Sequence, residues 1–315
     1  MLDVISTTSV VFMLMGIGYV AVVLAVLTAA DLAALGKFVV SIALPGLILQ
    51  ALISRDLSEI FDLAYIGAYL FGSLAAFAIG YVVSRRVLGM SSAASTFQAM
   101  GMSCSNSGYV GYPILAMALP SAAAIAFALD VVVENTVMIP LMLLLAERAG
   151  HSEAKGMVLV RIIARRLFTS PIVLSLIIGL AISLMHVPLP GPVTKSVSVV
   201  SASSVAVALV VIGGTLYGLK PGAFDPGVAL VVAGKLLLHP FLVFLGFEGL
   251  ATVGIVPNDP LLLKAGIVMA GSPAMTMYPI FAQRYGQQER AAQAMLAMTL
   301  LSFFTISAAL YLIPD

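Results

Sequence analysis

The sequence predicts an all-α polytopic membrane protein, because its composition is too apolar for a water-soluble fold. Hydrophobic residues make up 61% of the 315 positions, charged residues make up 9%, and the mean hydropathy is +1.13. Apolar runs of about 20 residues, the length that crosses the hydrocarbon core of a bilayer, recur along the whole chain. A water-soluble domain would need a far more polar exterior. The lipid bilayer is therefore the first partner that the sequence predicts.

Ten membrane spans fit these apolar runs, and the connections between them are short. Predicted spans 1 to 10 cover residues 7–28, 32–53, 62–84, 92–117, 121–146, 168–186, 194–219, 226–251, 261–283 and 290–313. The longest connection is the fifth, residues 147–167. None is long enough for a soluble domain, so residues 1–315 are expected to form one membrane domain.

The distribution of Lys and Arg orients the spans. Most of these residues fall in the odd-numbered connections, and only Arg55, Lys195 and Lys264 fall in the even-numbered ones. The odd-numbered set comprises Lys37, Arg85, Arg86, Arg148, Lys155, Arg161, Arg165, Arg166, Lys220, Arg284 and Arg290. The positive-inside rule then predicts cytoplasmic odd-numbered connections and two outside termini, in the inner (plasma) membrane of a bacterium.

A short repeat relates the two halves of the chain. The segment YPILA at 112–116 in span 4 returns as YPIFA at 278–282 in span 9. Each copy lies in the fourth of five spans, and the two spans cross the membrane in opposite directions. The sequence therefore predicts two inverted five-helix repeats, residues 1–146 and 168–315, joined by the cytoplasmic loop 147–167.

Both copies of this repeat interrupt a hydrophobic span. Small or polar residues precede Pro113 and Pro279, and proline removes a backbone donor from a helix. The freed backbone groups need partners inside the protein or a wet cavity, because lipid offers none. Two such breaks at one depth favour crossing half-helices whose N-termini can hold an anion at mid-membrane. The alternative is a pair of ordinary proline kinks.

Charged residues inside two spans are the next candidates for function, because charges are costly there. Asp130 and Glu134 lie four residues apart on span 5, followed by Asn135, and Lys235 and His239 lie four apart on span 8. Each pair therefore shares one helix face. We expect Lys235 to pair with one of the two acids. Both a proton-sensitive coupling pair and a static structural salt bridge fit this pattern.

Two weaker motifs occupy equivalent places in spans 2 and 7. They are Pro45-Gly46 in span 2 and Gly213-Gly214-Thr215 in span 7. They could face the broken helices across a cavity, or they could be sites of close helix packing.

Several classes of protein are disfavoured by what the sequence lacks. It has no phosphate-binding glycine loop, no catalytic triad spacing and no cluster of metal ligands, and its one cysteine is Cys104. We therefore expect no enzyme activity, no cofactor and no metal. The formal net charge of +1 gives no indication of nucleic-acid binding.

The chain resembles the auxin efflux carrier family, which includes plant auxin carriers of the PIN type and bacterial malonate transporters. The resemblance runs over nearly the whole length. It rests on IALPGLIL, NSGYVGYPIL, TSPIVLSLIIGLAISLMHVPLP, VALVVIGGTLYGL, GKLLLHPFLV and GSPAMTMYPIFAQRYG, in spans 2, 4, 6, 7, 8 and 9.

The resemblance implies a scaffold of helices 1, 2, 6 and 7 and a core of helices 3–5 and 8–10. Helices 4 and 9 would cross at Gly111, Pro113 and Pro279, and Asn106 would lie near the substrate carboxylate. The wider fold is similar to sodium/proton antiporters of the NhaA type and to bile-acid transporters. Those antiporters place acids and a lysine at positions similar to Asp130, Glu134 and Lys235.

The expected function is a secondary transporter for a small organic anion, a malonate-like carboxylate or an auxin-like weak acid, with an elevator-like motion of the core. Its predicted substrate-binding residues are Asn106, Ser107, Tyr109, Ser272, Met275 and Thr276. Either H+ or Na+ is a candidate coupling ion, and a homodimer through the scaffold helices is a candidate assembly. The alternatives are a cation/proton antiporter of the same fold and a membrane sensor that does not transport.

Overall fold

The computed structural model describes residues 2–53, 61–149, 169–218, 225–283 and 287–313. These residues are helical, with no strand among them beyond one isolated bridge. Six of the helices are long and apolar enough to cross a membrane. They are Ala29–Ile53, Leu63–Arg86, Pro120–Met142, Gly191–Leu216, Pro226–Ala251 and Gln288–Leu312. The all-α polytopic class is confirmed, whereas the ten-span inverted repeat and the NhaA-like fold stay predictions.

Each predicted span contains helix, with boundaries close to those expected. Span 1 is Leu2–Val23, span 2 is Ala29–Ile53, span 3 is Leu63–Arg86, span 5 runs from Pro120 to residue 149, and span 6 is Pro171–Leu184. Span 7 is Gly191–Leu216, span 8 is Pro226–Ala251 and span 10 is Gln288–Leu312. Spans 4 and 9 are each divided, into Ser92–Ser103 and 107–118, and into Leu261–Ala270 and Tyr278–Gln283.

Most of the fifth connection lies outside the described residues, and so do Arg55, Lys220 and Arg284. Lys37 was counted with the first connection, although it falls within predicted span 2, and the structure places it in a helix. It is the ninth residue of the helix Ala29–Ile53, about 12 Å along the axis from Ala29 at 1.5 Å per residue. The charged residue did not end the helix because lysine is itself a good helix former.

Aspartates cap the third span of each half. The side chain of Asp62 accepts the backbone N–H of Tyr65, and that of Asp225 accepts the N–H of Val228. Carboxylates are favoured at helix N-termini because the first N–H groups have no intrahelical acceptor. The predicted repeat would place these two caps at equivalent positions.

Four prolines each follow a wider, π-helical turn, and the helix continues through the proline. A five-residue π turn ends two residues before each of Pro45, Pro113, Pro140 and Pro240. In each case the residue that precedes the proline donates to a carbonyl five residues back, for example Leu44 to Val39. Proline lacks an N–H and clashes with the carbonyl four residues earlier, and the wider turn relieves that conflict.

The prediction that Pro113 and Pro279 make the helix breaks is therefore wrong. Each is the second residue of an α-helix, Tyr112–Ala118 or Tyr278–Gln283. The breaks come earlier, between Ser103 and Ser107 in span 4 and between Ala270 and Tyr278 in span 9. Proline is tolerated in the first turn of a helix, where a missing N–H costs little.

Glycines bring two pairs of spans into close contact. A Cβ on Gly72 in span 3 would lie 2.7 Å from the Val243 nitrogen in span 8, and one on Gly246 would lie 2.8 Å from the Ala68 backbone. A Cβ on Gly213 in span 7 would lie 1.8 Å from the carbonyl oxygen of Met15 in span 1. Close packing through small residues is the usual way that membrane helices associate.

Candidate functional site

The two breaks meet and pair with each other. Ser105 and Ala274 form an antiparallel bridge, in which the Asn106 N–H donates to the Pro273 carbonyl at 2.8 Å. The Met275 N–H donates to the carbonyl of Cys104 at 3.3 Å. We call this paired segment the crossing. It satisfies backbone groups that lipid could not satisfy, so the broken spans can coexist with a membrane.

Asn106 extends the crossing with a side-chain contact. Its Nδ2 donates to Thr276 Oγ1 at 3.1 Å, which joins span 4 to span 9 through residues 170 positions apart. Asn106 is only 4% exposed, whereas Thr276 is half-buried. An amide and a hydroxyl are both able to hydrogen-bond a carboxylate. These two predicted residues are therefore brought together.

The other predicted binding residues contact either span 2 or the interior of the protein. Tyr109 donates its hydroxyl to the Gly36 carbonyl of span 2 at 2.9 Å, while Ser107 Oγ donates to Asp130 Oδ2 at 2.9 Å. Ser272 is buried, and its hydroxyl donates to the Met269 carbonyl in its own helix. Met275 is half-buried against the core. Ser107 and Ser272 thus serve internal contacts.

A cavity of about 610 Å³ adjoins the crossing. It lies between spans 1, 2 and 7, and Tyr109, Thr276 and Met277 contribute its crossing-side wall. Its remaining lining residues are Val22, Ala29, Leu32, Ala33, Gly36, Lys37, Val40, Ser41, Val211, Gly214, Thr215, Tyr217 and Gly218. This volume falls in the range of pockets for small molecules.

The residues of the two weaker motifs divide between the cavity wall and helix packing. Gly214 and Thr215 line the cavity, whereas Pro45, Gly46 and Gly213 are not among its lining residues. A Cβ on Gly46 would lie 3.1 Å from Val200 of span 7, and Gly213 contacts the backbone of span 1. Gly46 and Gly213 are therefore packing positions. Gly111 is another, since its Cβ would lie 2.5 Å from Met269 in span 9.

On the opposite side of the crossing lies a buried polar cluster. Asp130 is fully buried and accepts two hydroxyl donors, Tyr65 at 2.8 Å on Oδ1 and Ser107 at 2.9 Å on Oδ2. Glu134 Oε1 accepts the Ser105 backbone N–H at 2.7 Å. Both carboxylates therefore hold groups of the span 4 break, which offsets part of the cost of burying them.

Lys235 binds the crossing itself. Its Nζ donates to Ser105 Oγ at 2.7 Å and to the carbonyl of Ala270, the last residue of the helix Leu261–Ala270. A cation is favoured at a helix C-terminus, where unpaired carbonyls concentrate negative charge. The ammonium thus joins the two broken spans.

The prediction of a direct pair between Lys235 and an acid is wrong. Within the described residues, Lys235 has no acidic oxygen within ion-pair distance, because Ser105 lies between. Ser105 receives the lysine through its hydroxyl and gives its N–H to Glu134. Ser105 reaches both groups at hydrogen-bond distance. Lys235 and Glu134 approach the crossing from different helices and do not reach each other.

His239 completes the cluster, and Asn135 does not belong to it. His239 Nδ1 lies 2.9 Å from Lys235 Nζ, and its Nε2 lies 3.0 Å from Ser73 Oγ. With Lys235 protonated, its ammonium donates to Nδ1, and Nε2 would then carry the proton towards Ser73. Asn135 instead donates to the Val131 carbonyl of its own helix.

Three residues of span 3 were missed by the sequence reasoning. Tyr65, Tyr69 and Ser73 contact Asp130, Ser105 and His239 respectively. Their spacing of four residues on an otherwise apolar helix would have indicated a polar face. Ser105 was also missed as a shared acceptor. Across the part of the chain that the structure describes, no three His, Cys, Asp or Glu side chains gather as metal ligands.

Comparison with known proteins shows the family of the chain. A family model described as "Membrane transport protein" matches residues 3–312. The chain is 30% identical over 285 residues to the "Putative malonate transporter" of Rhizobium meliloti (strain 1021), which is 89% of this chain and 86% of that protein. It is 35% identical over 108 residues to an "Uncharacterized transporter" of Methanothermobacter thermautotrophicus (strain Delta H), covering 34% of this chain and 35% of that protein.

Proposed function

Because the chain belongs to the membrane transport protein family, the family of the auxin efflux carriers, we propose that it is a secondary transporter for a small carboxylate. It is a multi-pass membrane protein of a transporter family. The substrate class, the elevator-like motion and the coupling are parts of the proposal. The relative of Rhizobium meliloti makes malonate a reasonable first compound to test.

The observation that carries the proposal is the contact of Asn106 with Thr276 beside the cavity. A carboxylate in this cavity would accept from the Thr276 hydroxyl. It would also accept from the Asn106 amide once that side chain, which is 4% exposed and not among the lining residues, turned towards the cavity. Ser107, Gly108 and Tyr109 lie in the first turn of a helical segment, where backbone N–H groups have no intrahelical acceptor. Such a turn favours an anion. The crossing thus supplies the hydrogen-bond donors that a carboxylate site needs.

Alternating access would require the core to move against the scaffold. The hydroxyl of Tyr109, in the core, donates to Gly36 in scaffold span 2, and this contact would break during the motion. The cavity is lined by the end of span 1, the beginning of span 2 and the end of span 7, at Val22, Ala29 and Tyr217. We place this end at the cytoplasm, following the positive-inside rule, so the conformation described here faces inward.

The first test is Asn106→Ala. The purified protein would be screened by thermal shift against mono- and dicarboxylates, including malonate and indole-3-acetate, and uptake of the best compound would be measured in proteoliposomes. We expect Asn106→Ala to weaken binding by at least about tenfold, the effect of one lost charge-assisted hydrogen bond. The matched control is Asn258→Ala, in a connection outside the cavity lining. Unchanged affinity and uptake in a folded Asn106→Ala protein would refute the site.

The buried cluster favours one other function, a cation/proton antiporter. Asp130, Glu134 and Lys235 are ionisable groups at the crossing, and such groups inside a membrane are functional candidates. Assays in the same liposomes can distinguish the two functions. A sodium gradient that drives proton flux without any carboxylate would favour the antiporter. Counterflow of a carboxylate would favour the proposed carrier and exclude a sensor that does not transport.

A further inference from the structure

Lys37 is a cation inside a span, and its position requires an explanation. It lies about 12 Å along the helix from the first residue of Ala29–Ile53. Its side chain is exposed on the surface of the protein. A charge on a helix that crosses a membrane is costly in lipid unless it faces water, a cavity or a partner. Lys37 lines the cavity beside the crossing, so the cavity supplies that environment.

The cavity contains no other charge among its described lining residues. Its wall is mostly apolar, with hydroxyl groups from Ser41, Tyr109, Thr215, Tyr217 and Thr276. A single ammonium at the wall of an open cavity acts over roughly a Debye length, about 10 Å at 0.1 M salt, which is also the width of the cavity. It attracts anions and repels cations.

The nearest acidic residue on the same helix does not neutralise Lys37. Asp31 is six residues earlier, which corresponds to about 240° around the helix, and it therefore lies on another face. Its Oδ2 accepts the backbone N–H and the hydroxyl of Thr28 in a capping box. Asp31 thus serves the helix N-terminus.

Lys37 also lies next to the contact between scaffold and crossing. The carbonyl of the preceding residue, Gly36, accepts the hydroxyl of Tyr109, which itself lines the cavity. Thr276, the partner of Asn106, lines the same cavity. A cavity of about 610 Å³ corresponds to a sphere roughly 10 Å across, so one small ligand can approach both walls.

We propose that Lys37 is the scaffold-side contact of the substrate carboxylate and makes the cavity selective for anions. This rests on the proposed function and adds a residue to the same site. The competing arrangement is a side chain that extends out of the cavity, so that its ammonium reaches the lipid headgroups.

Thiol chemistry at Thr215 can measure the potential inside the cavity without transport or a known substrate. Thr215 lines the cavity from span 7, and Cys104, the protein's one cysteine, is buried. Thr215→Cys would react in detergent with two methanethiosulfonates of similar size, the anionic sulfonatoethyl and the cationic trimethylammonioethyl reagent. The parent protein gives the background rate.

We expect Lys37→Gln, combined with Thr215→Cys, to lower the ratio of anionic to cationic rate constants by about tenfold. Lys37→Arg should keep the ratio within about twofold, because its charge remains. A reporter cysteine at Val253, a 70% exposed position outside the cavity lining, should show no change with Lys37→Gln. A ratio at Thr215→Cys that does not respond to Lys37→Gln would mean that the ammonium lies elsewhere, and would overturn the proposal.

The contact with a carboxylate is tested by protection of the same thiol. Malonate and benzoate would be compared with their uncharged amides, malonamide and benzamide, at constant ionic strength. We expect at least one carboxylate to slow modification in the Thr215→Cys protein, its amide not to, and Lys37→Gln to remove the difference. Protection by neither carboxylate, or equal protection without Lys37, would overturn the contact. Both readouts are independent of uptake and of Asn106, so a failure here is distinct from a failure of the carrier proposal.

Discussion

The two sides of the crossing differ in how their polar groups are used. On the side of spans 3, 5 and 8, Asp130, Glu134, Lys235 and His239 are between 0% and 7% exposed, and each contacts a named polar partner. On the side of spans 1, 2 and 7, hydroxyls and one ammonium line an open, mostly apolar cavity. Tyr109 and Thr276 are hydrogen-bonded too, but they border this cavity, where a ligand can replace those contacts. We therefore expect the first side to hold the crossing and the second to meet the ligand.

Ser105 shows why a substitution in the buried cluster should lower the stability of the protein. Its hydroxyl is contacted by Lys235 at 2.7 Å and by the Tyr69 hydroxyl at 2.8 Å, while its N–H donates to Glu134. Three helices thus meet at one residue of a broken span. Removing any partner would leave a buried polar group unsatisfied, which costs more than the net value of the bond.

The largest effect is expected from Lys235→Met, which keeps the length of the side chain and removes the charge. Ser105 and Ala270 would lose a charged donor, and the nearby carboxylates would lose a cation. Two hydrogen bonds from a charged donor are lost, each worth about 1.5–3 kcal/mol, so we expect a loss of about 3–5 kcal/mol in unfolding free energy. A large drop in melting temperature in detergent would report it. Lys195→Met is the control at an exposed lysine of span 7. Equal melting temperatures for Lys235→Met and Lys195→Met would contradict the conclusion that the buried cluster holds the crossing together.

A smaller effect, which differs between the two acids, is expected from isosteric amides. Both oxygens of Asp130 accept hydroxyl donors, so Asp130→Asn would turn an NH₂ group towards Tyr65 or Ser107. We expect a cost of about 1–3 kcal/mol. Glu134→Gln can still accept the Ser105 N–H through its carbonyl oxygen, and we expect about 1 kcal/mol or less. A larger loss of thermal stability for Glu134→Gln would show that this description of the cluster is incorrect.

The smallest effect is expected on the cavity side. Thr215→Val removes a hydroxyl that bonds the Ile212 carbonyl of its own helix, and Ser41→Ala removes an exposed one. The change in stability should stay within about 0.5 kcal/mol for each, as at most surface positions. Thermal unfolding beside the parent protein would check this. A loss comparable with that of Asp130→Asn would mean that the cavity wall also holds the fold together.

The sequence could predict which ionisable residues belong to the site better than it could predict their contacts. Four-residue spacing identified Asp130 with Glu134 and Lys235 with His239, and the repeat identified the divided spans. It could not indicate that Ser105 lies between lysine and acid, because that depends on how two irregular segments meet. Lys37 lay within predicted span 2 but was counted with the first connection, since a basic residue near a span end usually marks a connection.

Composition and local pattern by themselves determined the membrane class, the approximate spans and the interruption of spans 4 and 9. These properties are additive along the chain: hydrophobic length, helix period and clusters of small polar residues act within a few residues. The tertiary structure decided the rest. It paired Ser105 with Ala274, turned Ser107 towards Asp130, and left Thr276 and Lys37 on the cavity. Hydrogen bonds and charges act over a few ångströms, so partners more than a hundred residues apart are selected only by the packing of the helices that carry them.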